Sequence, residues 1–119
     1  LNYDPSHLNL MLMDYISPVK QFKDRIFHVH TKDGKILKNM LDRYGVFDKQ
    51  LGEPNEWGYR QAKMPGLGDI DWEQFIKALK EAGYDYVISI EHEDKDYEGS
   101  EEKVKEGLLV AKNNLIKYI

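Results

Sequence analysis

Two periodicities of apolar residues alternate along the chain and divide it into short elements. Trp72, Phe75, Ile76, Leu79 and Ala82 recur at i, i+3, i+4 and i+7 spacing, which places them on one face of a helix. Asp71, with Gln74 three residues on, predicts the capped start of that helix, and Gly83 predicts its end. Residues 100–115 carry the same period more loosely: Ser100 is the predicted cap, Glu101 and Glu102 fill the first turn, and Val104, Leu108, Ala111 and Leu115 share a face. Shorter runs follow strand chemistry instead. Arg25 to His30 is apolar and β-branched enough for a strand that Lys32-Asp33-Gly34 would stop. Tyr86 to Ile90 is apolar at most positions, as in a parallel strand covered on both faces. Ser17 and Pro18 predict the cap and first position of a short helix that ends near Lys23.

From Lys35 to Pro65 the pattern loosens. Ile36, Leu37, Met40, Leu41 and Tyr44 suggest a small helix, and residues at about 34–68 as a whole are expected to form an inserted loop, which over a compact domain is more often functional than idle. Strands alternating with helices predict an α/β chain on a parallel sheet, with all 119 residues in one domain. In such sheets, binding and reacting groups collect beyond the carboxyl ends of the strands.

Three clusters fall at those ends: Asp4-Pro5-Ser6-His7, His28-Val29-His30 and Glu91-His92-Glu93-Asp94, and they contain every histidine of the chain. Singly, each has an ordinary explanation as a helix cap, a core histidine or solvated charge. Jointly they offer carboxylate oxygens and imidazole nitrogens from different elements, which is the donor set a divalent cation takes. Residues two apart on a strand share a face, so His28 and His30 point the same way; His30, nearer the carboxyl end, is the expected ligand and His28 its support. Ser89 and Glu91 likewise share a face, whereas His92, Glu93 and Asp94 read as solvent-facing. Lys32 is a further supporting residue, where the chain sets out towards Arg60. Arg60 lies in WGYRQAKMPGLGDIDW, whose interleaved aromatics, cation and glycines suit closure over an anionic or polyhydroxylated ligand.

Charge and composition narrow the partners. A net charge of -4, from 21 acidic and 17 basic residues that are well mixed, leaves no basic stripe for nucleic acid. With no cysteine there is neither a disulfide framework nor a thiolate metal site, and a cytoplasmic location is the expectation. No apolar run approaches the ~20 residues of a membrane span. The chain opens at Leu1 directly on NYDPSH, as a piece of a longer protein would.

These residues resemble the C-terminal part of the sugar phosphate isomerase/epimerase family, the xylose isomerase-like (β/α)8 TIM barrels of AP endonuclease family 2, which include D-tagatose 3-epimerase, inosose dehydratase and endonuclease IV types. On that resemblance NYDPSH ends strand 6, RIFHVHTKD is strand 7, PGLGDIDWEQFIKALKEAGYDYVISIEHED supplies the seventh helix and strand 8, and the remainder is the last helix. The resemblance implies one divalent cation (Mn, Mg, Co or Zn) on Asp4, His30 and Glu91, with Glu91 also one of two catalytic glutamates that move a proton next to a carbonyl. It implies that His7 contacts substrate hydroxyls and that Arg60, less securely placed because its loop is long, does likewise. The second glutamate, also the fourth ligand, belongs to an earlier strand that nothing here matches. A complete barrel needs roughly 250 residues.

The expected function is therefore metal-dependent isomerisation or epimerisation of a sugar or sugar phosphate, with the segment inactive by itself. A lyase on an inositol-like or keto-sugar substrate would reuse the same enolisation and expel a hydroxyl. A truncated, non-catalytic metal-binding fragment is a third reading, and phosphodiester cleavage is disfavoured by the few histidines and the acidic charge. The expected partner is a small-molecule sugar, not nucleic acid or membrane, with a homo-oligomer or the missing N-terminal barrel part completing the fold.

Overall fold

The alternation at residues 28–30 is realised in the middle strand of a parallel sheet. The structure, a computed structural model, describes residues 1–47 and 58–119. In chain order β1 (Asn2–Tyr3) leads into α1 (Pro5–Asn9) and α2 (Ser17–Gln21), then β2 (His28–Thr31), β3 (Asp33–Ile36), α3 (Lys38–Tyr44), β4 (Arg60–Lys63), α4 (Trp72–Glu81), β5 (Ile88–Ile90) and α5 (Glu101–Leu115). Single 3-10 turns occupy Lys23–Arg25 and Lys95–Tyr97. Strands β1, β2 and β5 form one parallel sheet in that order, with Tyr3 opposite Val29 and His30 opposite Ser89.

Parallel strands need crossovers, and the helices supply both the crossovers and the cover. Tyr3 and Val29 on the sheet join Val19 of α2, Trp72, Phe75, Ile76 and Leu79 of α4, and Leu115 of α5 in one buried cluster. Tyr3 and Phe75 stack with ring centroids 6.0 Å apart. Each such side chain contributes about 1.5–3 kcal/mol on leaving water, so α4 fastens the sheet more strongly than any cap does. Its cap is nevertheless as expected: the Gln74 amide donates to Asp71 at 3.0 Å, and Gly83 ends the helix at a φ of 74°.

Several local expectations are corrected. The N-cap position of α2 is Ile16, not Ser17, which is already helical; ahead of it Asp14 Oδ1 accepts from the amides of Ile16 and Ser17 at 2.8 and 3.3 Å. Residues 23–25 close a 3-10 turn, so β2 begins later and runs one residue further than expected. β2 ends before Lys32-Asp33-Gly34, as expected, but no loop follows. The chain passes straight into β3, which pairs antiparallel with β4, Asp33 opposite Lys63 and Ile36 opposite Arg60. β3 thus takes Ile36 out of the predicted small helix, which forms as α3 without a buried residue. The expected inserted segment holds β3, α3 and β4, and its residues 48–57 lie outside the described residues. β5 is shorter than predicted and is not covered on both faces: Tyr86 and Val87 are 60% and 61% exposed. On α5 the inner face is Gly107, Ala111 and Leu115, while Leu108 lies at the surface, one position off the predicted stripe. Among the described residues, no helix is long and apolar enough to cross a membrane.

Candidate metal and active site

The sheet register gathers the three clusters. Asp4 follows β1, His30 lies on β2, and Glu91 follows β5, its amide donating to the Thr31 carbonyl at 3.1 Å. Because β2 is the central strand, its imidazole stands between the two carboxylates, and one ligand atom from each of Asp4, His30 and Glu91 lies within 4.8 Å of the others. The Asp4 side chain is only 5% exposed. Its Oδ1 caps α1 by accepting from the Ser6 amide at 2.8 Å, which leaves Oδ2 buried without a hydrogen-bond partner. Glu91 Oε2 is in the same condition. His30 Nδ1 lies 3.2 Å from that Glu91 oxygen, and Nε2 lies 3.2 Å from the Asn2 side-chain amide.

Two buried carboxylate oxygens without hydrogen bonds, beside an imidazole, are what a bound cation would satisfy. Oxygen and nitrogen donors of this kind fit a divalent ion of the magnesium to zinc range, so the residues present suit the group that the resemblance implies.

His28 sits beneath His30. Its Nε2 is 2.7 Å from Ser89 Oγ, and the two imidazoles meet edge to face with centroids 5.2 Å apart, so it steadies the ring by packing as well as through the strand. His7 is at the mouth, 66% exposed, with Nε2 3.5 Å from Asp4 Oδ2.

The sequence reading undervalued Lys32. Side-chain alternation carries one residue past β2, so Lys32 follows His28 and His30 on the inward face. Its side chain is 5% exposed, and Nζ lies 3.4 Å from Asp4 Oδ2 and 3.0 Å from both Glu91 Oε2 and Glu93 Oε2, with His7 Nε2 at 3.4 Å. Burial pulls the ammonium's pKa down, but contact with Glu93, Glu91 and Asp4 outweighs it and holds the pKa above the ordinary lysine value. For Glu91, burial works to raise the pKa, and the Lys32 contact wins and holds it below the ordinary glutamate value.

Glu93 and Asp94 are likewise not the free solvent-facing pair expected of them. Glu93 is half exposed but reaches Lys32, and Asp94 is fully buried, accepting from the Met64 amide at 2.9 Å and from Lys63 at 3.3 Å. His92, also expected to face solvent, has its Nε2 buried. Asp33 was missed altogether. It is fully buried and accepts from the amides of Gly34, Gly66 and Ile70 and from the Trp72 indole N–H at 2.8–3.0 Å. It binds the GLGDIDW segment to the strand end; a Cβ on Gly68 would lie 2.2 Å from Asp33 Oδ1, which explains glycine there. An acidic residue directly before Gly34 and 33 positions ahead of Gly66 leaves no local pattern to find. Arg60 is placed in β4 on the second sheet, its guanidinium carbon 5.5 Å from the Tyr59 ring centroid.

Comparison with known proteins follows this geometry. The family model described as a xylose isomerase-like TIM barrel matches residues 1–114. A protein of Bacillus subtilis (strain 168) carrying the description uncharacterized protein YfiH is 34% identical over 96 residues, 79% of this chain and 31% of its own length. The inosose dehydratase of Lacticaseibacillus casei is 30% identical over 93 residues, 78% of this chain and 30% of its own length. The chain therefore spans about a third of the length of these curated relatives. A crystal structure of a xylose isomerase domain protein from Planctomyces limnophilus superposes with a TM-score of 0.59 at 18% identity, over 99% of this chain and 38% of that one, which is a likeness of fold.

Proposed function

The chain belongs to the xylose isomerase-like TIM barrel family, and on that premise we propose that it is the C-terminal part, about strands 6 to 8, of a metal-dependent enzyme that isomerises or epimerises a sugar or sugar phosphate. The observation that carries this reading is the meeting of two buried carboxylate oxygens, held by ion-pair contacts and not by hydrogen bonds, with His30 at the ends of three adjacent parallel strands. Asp4, His30 and Glu91 would hold the cation. When bound, it supplies Lewis-acid polarisation of substrate oxygens and so eases loss of a proton from the neighbouring carbon. Glu91 carries that proton, because its carboxylate stands at the end of β5 on the inward face, beside His30. His28 and Ser89 support the inward face, and His7 at the mouth hydrogen-bonds substrate hydroxyls, with Arg60 as a second contact. The substrate is a small polyhydroxylated molecule, and the protein works in the cytoplasm as one domain completed by the preceding barrel strands.

Among the described residues β1 and β5 are the open edges of the three-stranded sheet, which supports completion by further strands. The full-length protein, incubated with a panel of ketoses in deuterated water, is expected to exchange a carbon-bound hydrogen only when supplied with a divalent ion. Absence of exchange across the panel would count against the reading. A second reading, dehydration of an inositol-like or keto-sugar substrate, is favoured by the similarity to inosose dehydratase. Product analysis separates the two, since a dehydratase releases water and an epimerase leaves the mass unchanged.

A further inference from the structure

Lys32 has a role that the ligand set does not require. Its ammonium lies within ion-pair reach of Asp4 Oδ2 and Glu91 Oε2, both carboxylate oxygens that are buried without a hydrogen-bond partner. A fixed monovalent cation and a divalent ion cannot both neutralise the same two oxygens at full strength, because like charges this close repel in a partly desolvated site. A third carboxylate reaches the ammonium: Glu93 Oε2, 3.0 Å away on a side chain that is 53% exposed and outside the ligand triad. His7 Nε2, at 3.4 Å, offers a further acceptor there. The groups facing Lys32 thus come from three elements, and only those after β5 and in α1 are free to keep it when Asp4 and Glu91 are taken.

We infer that Lys32 is a built-in counterion of the metal site: it holds Asp4 and Glu91 together in the metal-free protein and transfers to Glu93 when a divalent cation is bound. Lys32 is a positioning residue in this scheme. It tunes how tightly the site binds its ion and spares the fold two unpaired buried carboxylates when no ion is present. The inference rests on the metal reading of Asp4, His30 and Glu91.

The test is a manganese titration of the metal-stripped full-length protein, followed by the electron paramagnetic resonance signal of free Mn2+, alongside thermal melts without metal. Lys32→Met is expected to bind Mn2+ about tenfold more tightly than wild type while melting at a lower temperature in the absence of metal. Glu93→Gln, which removes the alternative carboxylate, is expected to weaken Mn2+ binding several-fold, and to have no effect in the Lys32→Met background. Lys32→Gln, smaller and polar, repeats the first measurement should the methionine variant fold poorly. Mn2+ binding that is unchanged or weaker in both lysine variants overturns the inference, as does a Glu93→Gln effect that persists without Lys32. A wild-type protein that binds no Mn2+, or an Asp4→Asn variant that binds it as wild type does, overturns the metal reading itself and is recognised separately.

Discussion

Lys32 and Asp33 are neighbours in the chain and face two differently built environments. Asp33 is directed into a clasp in which its two oxygens accept four hydrogen bonds, from Gly34, Gly66, Ile70 and Trp72. Lys32 is directed into the cluster of Asp4, Glu91 and Glu93, where two carboxylate oxygens are buried without hydrogen bonds. Both regions bury carboxylates, at the usual desolvation cost. The clasp offsets part of it with fixed N–H donors, though burial still outweighs them and pushes the Asp33 carboxyl above its ordinary value. The cluster recovers it through ion pairs with the buried ammonium of Lys32. Full satisfaction marks the clasp as architecture, whereas two carboxylate oxygens without hydrogen bonds beside an imidazole are what a bound cation would satisfy.

That contrast can be broken most forcefully at Asp33. Asp33→Ala would leave four donors facing a void, three of them backbone amides, and is expected to destabilise the protein by about 3 kcal/mol or more in urea denaturation. A loss below about 1 kcal/mol would show that water replaces the carboxylate, and the clasp would then not be structural. Gly68→Ala approaches the same clasp from the side, since its Cβ would fall 2.2 Å from Asp33 Oδ1 against a backbone that is hydrogen-bonded nearby. Its expected cost is about 1–3 kcal/mol by the same measurement.

Asp4→Asn sharpens the other half of the comparison. Asparagine keeps the α1 cap through its side-chain oxygen, so the metal-free protein should change by less than about 1 kcal/mol. The stabilisation by added Mn2+, about 2.7 kcal/mol at a hundredfold excess over Kd, should disappear from the thermal melt. A variant that lost much stability without metal, yet still responded to Mn2+, would reverse the roles assigned to the two regions.

The smallest effect is expected where a buried and an exposed carboxylate share one cation. Lys63 bridges the buried Asp94 and the exposed Asp96. The Lys63 contact lowers the Asp96 pKa from 3.8, so this pair contributes above the ordinary carboxylate range and its contribution is lost as pH falls through the lowered value. Burial pulls Lys63 down but the two aspartates outweigh it and raise it above 10.5, so on the alkaline side the contribution is complete below that value and fades as pH rises through the raised one. Asp96→Asn should therefore cost less than about 1 kcal/mol at pH 7, screened by salt, and nothing at low pH where the wild-type carboxyl is protonated. Comparison of the wild-type and variant denaturation curves at pH 7 and at steps down the acid range, where the difference should fade to nothing, checks both statements.

What could be read from the chain alone was decided by neighbours in sequence. The α4 helix declared itself because its cap and its apolar stripe are repeated within eleven residues, 71–81, and the same holds for the Ser100 cap of α5. The paired orientation of His28 and His30 followed from the two-residue period of a strand. The second sheet was illegible for the opposite reason. β4 reads Arg-Gln-Ala-Lys and has no apolar alternation; its strand character comes from backbone pairing with β3. The Leu108 position on α5 failed because a loose period leaves the stripe uncertain by one residue, and the close approach of Tyr97 at Gly107 settled which face turns inward.

The sequence by itself determined the alternation of helices and strands, the strand ends where charge collects, and the three residues whose donor atoms converge. Only the tertiary structure decided that Lys32 stands among those donors, that Asp33 and Asp94 are buried anchors, and that Glu93 belongs to the cluster. The reason is physical. Caps and periodicities are set by energies acting over three or four residues, whereas these charges take their meaning from partners 28 to 61 residues away, such as Asp4, Glu91, Glu93 and Trp72, which meet them only once the parallel strands have aligned.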